Sequence, residues 1–148
     1  MTTTNGTRAL RACAPAAAVL LGSFLNLRAT AGYIEKQNPL QLLLVCSGTL
    51  DQAAYEDVLG AGALCDLLWP KYRGGGVADS AQIARRLFRL EQHHLLAAVS
   101  ESRNGRRLMA RPELREDVPF CIQRDIVKLV AEMGKDGLVR VQRTVTTT

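Results

Sequence analysis

No CxxC pair occurs in this 148-residue sequence, and no short Cys or His spacing suited to zinc. The four cysteines, Cys13, Cys46, Cys65 and Cys121, stand far apart. That excludes a dense disulfide scaffold and reads as four free thiols in a reducing, cytoplasmic setting. Cys46 and Cys65 fall inside apolar runs as small core residues. A P-loop is also missing, since the triple glycine of "KYRGGGVADSAQ" lacks the GxxxxGK[ST] order and reads as a flexible loop. Without a GxSxG elbow, Ser100, Ser102, His93 and His94 make no recognisable triad. Adjacent His93 and His94 point about 100° apart on a helix and do not readily share a metal. Aromatic residues are only 5% of the chain and do not interleave with the dispersed arginines. The net charge of +5 therefore suits an anionic partner without indicating nucleic acid. Long apolar runs are absent too. Residues 8–32 mimic a secretory signal, with a basic start and an A-x-A end. Pro15, Asn26 and Arg28 interrupt them, and the uninterrupted stretch 16–21 is far too short to span a bilayer.

What is present is an ordinary globular composition, 47% hydrophobic and 22% charged, in one domain's length over 1–148. The runs "AAAVLLGS" (16–23) and "LQLLLVCSG" (40–48) are short, continuous and apolar, each closed by Gly and Ser, as for strands covered on both faces. Helical spacing follows each, over 24–37 up to Asn38-Pro39 and over 51–72 with Pro70 as its end. Strand, helix, strand, helix predicts parallel strands with crossover helices. The expected fold is therefore α/β, a three-layer α/β/α arrangement on a mostly parallel or mixed sheet. Further on, Asp79-Ser80 caps one long helix over 81–100, and "SRNGRRLMA" turns into a short helix. Residues 117–133 form an approach segment and a helix, "DGLVRVQRTV" a last strand, and 144–148 a frayed tail.

In parallel α/β sheets ligands collect beyond the carboxyl ends of strands, which singles out three junctions, residues 4–8, Gly22-Ser23 and residues 46–49, the first the most suggestive. At Asn5-Gly6-Thr7-Arg8, Gly6 allows a tight turn. Thr7 offers a hydroxyl, and the Arg8 fork is able to hold a phosphate or sulfonate through two bonds. An Asn-Gly turn with Thr7 as N-cap and Arg8 in solvent explains the same residues. Glu56 and Asp57 follow the second apolar run as adjacent carboxylates, a pair suited to Mg²⁺ or to the first turn of a helix. Asn104-Gly105-Arg106-Arg107 repeats the Asn-Gly-plus-arginine theme, either as a second anion clamp or as a turn with exposed arginines.

Taken together, "TTTNGTRAL" (2–10), "GSFLN" (22–26), "LVCSGT" (44–49), "YEDVLGAGAL" (55–64), "ADSA" (78–81), "SRNGRRL" (102–108) and "EDVPFC" (116–121) resemble the 2-phosphosulfolactate phosphatase (ComB-like) family. TTTNGTRA is the most specific piece, and the order and spacing run from end to end. The resemblance implies a Mg²⁺-dependent hydrolase converting 2-phospho-3-sulfolactate to sulfolactate and phosphate, a step toward coenzyme M in methanogens. It makes Asn5, Gly6, Thr7 and Arg8 the anion-pocket candidates, with Asn104, Gly105 and Arg107 behind them. Glu56 and Asp57 become the catalytic, metal-holding or water-positioning candidates. Cys46 and Cys121 match the family without an assigned role.

Members of that family are longer and carry "DVLRAT", "GER" and "GNSP" type segments ahead of the TTTNGTRA turn. The expectation is a C-terminal portion of such an enzyme. Alone, it exposes an unpaired sheet edge and is poorly soluble, self-associating as a homo-oligomer, or inactive. The competing expectation is a non-catalytic module that keeps the anion pocket for binding or interaction.

Overall fold

In the computed structural model, which describes residues 5–142, the architecture is built around α3 (Tyr55–Tyr72) and α4 (Asp79–Glu91), two helices packed against each other. Their close approach is written in Gly62, where an added Cβ would overlap the Ala84 carbonyl oxygen. Arg85 on α4 bonds Asp66 on α3 at 2.8 Å and stacks over Trp69 at 4.2 Å. The core joins Leu59, Ala63, Leu64 and Leu68 of α3 to Phe88 of α4 and to Leu27, Ala31 and Ile34 of α2 (Leu27–Gln37). Those spacings of three and four residues put each set on one helical face.

Helix α1 (Gly6–Ala12) buries none of its residues. Strand β1 (Leu20–Leu21) leads through a 3-10 turn at Phe24–Asn26 into α2, which stops at Asn38 in the left-handed region with φ of 49°. The "GSFLN" stretch is a structural tie. Asn26 is buried, accepts from the Ser23 backbone N–H at 2.9 Å and donates to the carbonyls of Leu21 and Leu129. After α4 come α5 (Leu95–Ser100), α6 (Arg103–Met109), a 3-10 turn at Pro112–Leu114 and α7 (Asp117–Cys121). Strands β2 (Val130–Met133) and β3 (Val139–Gln142) form a hairpin through the expected Asp-Gly turn, with Gly137 at φ of 77°. β1 pairs with β2 on its other side, Leu20 opposite Glu132 and Leu21 opposite Ala131.

Several expectations change. The mixture of helix and strand holds, but the sheet among the described residues is three strands in the order β1-β2-β3, with every pair antiparallel. The three layers about a mostly parallel sheet do not form from these residues. The 16–23 strand shrinks to two residues. Among the described residues the 40–48 run joins no sheet, and no backbone hydrogen bond ties 40–47 to a neighbouring strand. It lies along α3, held at one end by Tyr72 Oη donating to the Pro39 carbonyl and at the other by Asp57 accepting from Gly48 N–H. Leu44 packs on the core, while Leu40, Leu43 and Val45 face solvent at 101%, 82% and 52% exposure.

Pro70 does not end α3, which continues to Tyr72. The helix expected over 81–100 breaks at residues 92–94 into α4 and α5. Ala78 is the N-cap of α4, placing Asp79 in its first turn. The helix expected late in 117–133 is α7 followed by β2. Asp125, in the left-handed region at φ of 59°, turns the chain between them. The tail 144–148 lies outside the described residues.

Candidate functional site

The N-terminal end of α3 gathers three of the turns that the sequence singles out. Its two first-turn carboxylates face different partners, as adjacent helical residues must. Asp57 Oδ2 accepts from Gly48 N–H at 2.8 Å and from Ser47 Oγ at 3.4 Å, fastening the end of the extended segment to the helix. Gly48 sits at φ of 67°, where an added Cβ would overlap the Gln52 carbonyl oxygen. Glu56 reaches the other way, to α6. Its Oε1 accepts from Asn104 Nδ2 at 2.5 Å and its Oε2 from Ser102 Oγ at 3.2 Å.

Ser102 is the N-cap of α6 and accepts from Gly105 N–H at 3.0 Å, satisfying one of that helix's open donors. Gly105 is buried where α6 turns against α5, and a Cβ there would overlap the Val99 carbonyl oxygen. Asn104 Nδ2 also donates to Thr49 Oγ1 at 2.9 Å. Between Thr49 and Gln52, which exchange two backbone hydrogen bonds, the chain turns through Leu50 and Asp51, both at positive φ (51° and 58°). Arg103 grips this turn, donating to the Thr49 carbonyl at 3.1 Å and to the Gln52 side-chain oxygen. At its tip Asp51 Oδ1 meets Arg8 of α1 at 2.5 Å, an exposed ion pair.

Thus Arg8, Glu56, Asp57, Asn104 and Gly105 belong to one connected set of turns. Asn5 is the N-cap of α1 and Gly6 and Thr7 begin it, so Thr7 is not the cap. α1 joins the set through Arg8. Arg107 is not brought to the others and stands exposed on α6, one turn beyond Arg103. Sequence reasoning reached Thr49 as the end of the 46–49 junction but missed Asp51, Gln52, Ser102 and Arg103. A Ser three residues before a glycine at a helix start was the available signal for Ser102. Nothing in the spacing marks Arg103.

The model of the 2-phosphosulpholactate phosphatase family matches residues 1–136. The chain belongs to the 2-phosphosulpholactate phosphatase family. It is 36% identical over 141 residues to a protein of Caldanaerobacter subterraneus named "probable 2-phosphosulfolactate phosphatase", covering 94% of this chain and 56% of that protein. Proteins of the same name from Caldicellulosiruptor saccharolyticus and Gloeothece citriformis are 32% and 29% identical. They cover 89% and 94% of this chain and 56% and 58% of their own lengths. This family member therefore spans a little over half the length of the curated relatives it matches.

The carboxylates differ in what they offer a cation. Each Glu56 oxygen accepts from a protein donor, whereas both hydrogen bonds that Asp57 receives from the described residues fall on Oδ2. Among the described residues no three His, Cys, Asp or Glu side chains gather into a cation cage. Mg²⁺ commonly takes only one or two carboxylates, completing its shell with waters and substrate phosphate. Asp57 has the more open oxygen for that role, while each Glu56 oxygen already holds one donor and keeps a further lone pair. Cys46, read in the sequence as a core residue, is exposed, and partial desolvation followed by the nearby Asp57 carboxylate raises its thiol above the ordinary value. A recess of about 170 Å³ lined by Arg28, Ala31, Gly32, Glu35 and Leu67 includes none of these residues. No helix among the described residues is long and apolar enough to cross a membrane.

Proposed function

We propose that these residues serve a Mg²⁺-dependent phosphatase that hydrolyses 2-phospho-3-sulfolactate, or a similar small anionic phosphoester, to the alcohol and phosphate. The observation that carries the reading is the convergence, in a member of this family, of the 46–52 turn, the head of α3, the head of α6 and Arg8. Arg8 supplies a planar fork for phosphate or sulfonate oxygens. Asn104, held by Glu56 and Thr49, presents a fixed amide. Asp57 would hold Mg²⁺ through Oδ1, and when bound the cation supplies charge neutralisation at phosphorus and an acidified water. Glu56 acts on α6 as a positioning residue, fixing Ser102 and Asn104.

The test is phosphate release from 2-phosphosulfolactate with and without Mg²⁺ on purified chain, beside Arg8→Ala and Asp57→Ala. Mg²⁺-dependent release lost in both variants supports the assignment. Folded chain that binds phosphate through Arg8 yet releases none from the ester overturns it, in favour of a non-catalytic anion-binding module.

A further inference from the structure

The Arg8 guanidinium is paired with Asp51 at 2.5 Å. We propose that Asp51 is a built-in competitor for Arg8, an internal carboxylate that holds the arginine until a phosphate group takes it and reclaims it as phosphate leaves. The proposal rests on the reading of Arg8 as an anion binder and adds a residue that sets the affinity of that site.

Three observations carry it. First, the side chains are 76% and 70% exposed, so a dissolved anion reaches the guanidinium without opening the fold. Second, the turn that bears Asp51 is held without Arg8. Thr49 and Gln52 close it through two backbone bonds, and Arg103 grips it through the Thr49 carbonyl and the Gln52 side chain. The carboxylate therefore stays in place when Arg8 is engaged elsewhere. Third, Asp51 engages Arg8 through Nη2, so an anion that grips the fork through a pair of donors including Nη2 competes with that carboxylate. An anion arriving at Arg8 also meets the negative charge of Asp51 a few ångströms away, which lowers its affinity further. Both effects act in one direction. Removing the Asp51 charge tightens anion binding, by about two- to five-fold, the range set by the worth of an exposed ion pair. For an enzyme that releases phosphate, the same contact weakens retention of product.

The experiment measures the dissociation constant of inorganic phosphate on the full 148-residue chain at low ionic strength, for wild type, Asp51→Asn, Asp51→Ser and Arg8→Ala. Asn tolerates the left-handed conformation at position 51, so the turn survives while the charge goes. Ser removes the charge with a different side chain and guards against a local effect of Asn. The expected result is tighter binding in both Asp51 variants and weaker binding in Arg8→Ala. Weaker binding in Arg8→Ala, with unchanged or weaker binding in the Asp51 variants, overturns this proposal and leaves Arg8 as the anion binder. Unchanged binding in Arg8→Ala overturns both.

Discussion

Asn104 Nδ2 donates to Glu56 Oε1 at 2.5 Å, joining the heads of α6 and α3 across 48 residues of sequence. Ser102 completes the joint, since its hydroxyl both reaches Glu56 and caps α6 at Gly105 N–H. Replacing Ser102 by Ala removes the cap and leaves one Glu56 oxygen without a partner. The expected cost is about 1–2 kcal/mol. Urea unfolding of Ser102→Ala checks it, and a midpoint equal to wild type would dismiss the joint as incidental.

Glycine substitutions separate close packing from helix propensity, because their signs differ. At Gly60, inside α3, an added Cβ meets nothing within 4 Å. Gly60→Ala is therefore expected to stabilise by about 0.5–1 kcal/mol. At Gly62 and Gly105 the Cβ would overlap the carbonyl oxygens of Ala84 and Val99. Gly62→Ala and Gly105→Ala are expected to destabilise by about 1–3 kcal/mol, since backbone must move to admit the methyl. Thermal unfolding of the three variants decides, and a shared sign would refute the packing account.

Residues 24–37 and 51–72 read as helices in the sequence because their apolar spacing matches one buried face, although the α-helices begin only at Leu27 and Tyr55. The Asp136-Gly137 turn was equally clear from local chemistry. What escaped the sequence depended on partners. "IVKLVAEM" fits a helix or a strand over so short a run, and only the hairpin with β3 decides for Val130–Met133. The 40–48 run has the composition of a covered strand, yet a strand is defined by neighbours, and none of the described residues pairs with it. The site was half legible. Glu56, Asp57, Asn104 and Arg8 stood out by residue type, but the grip of Arg103 on the 49–52 turn is a relation between distant turns that spacing does not encode.

Stability is expected to decline in alkali. Burial first, and then Glu132 and Glu91 respectively, raise the Tyr33 and Tyr55 phenols above 10.0. Burial also raises the Cys46 and Cys65 thiols above 9.0. With folded-state values raised, the folded chain keeps protons that the unfolded chain has already released. The contribution is whole below the unfolded values and is lost as pH climbs through the folded ones. The urea midpoint should therefore be insensitive to these groups at neutral pH and fall once pH passes about 9. A midpoint that rises over that range would reverse the sign and reject the assignment.

Self-association through residues 40–47 is the expected behaviour of the chain in isolation. The segment carries no charged residue and no proline, and among the described residues its backbone has no strand partner. By contrast β3, an edge strand of the sheet among the described residues, carries Arg140, a charge of the kind that discourages edge pairing. Because the 40–47 segment is neutral, the expected pairing of two copies about a two-fold axis meets no like-charge repulsion. Leu43→Lys places a charge on the exposed side of that segment, 82% open to solvent, without touching the core. Sedimentation velocity over a concentration series should show wild-type association that Leu43→Lys abolishes at unchanged unfolding midpoint. A wild-type chain that stays monomeric at high concentration, or a variant that associates as before, would move the contact away from this segment.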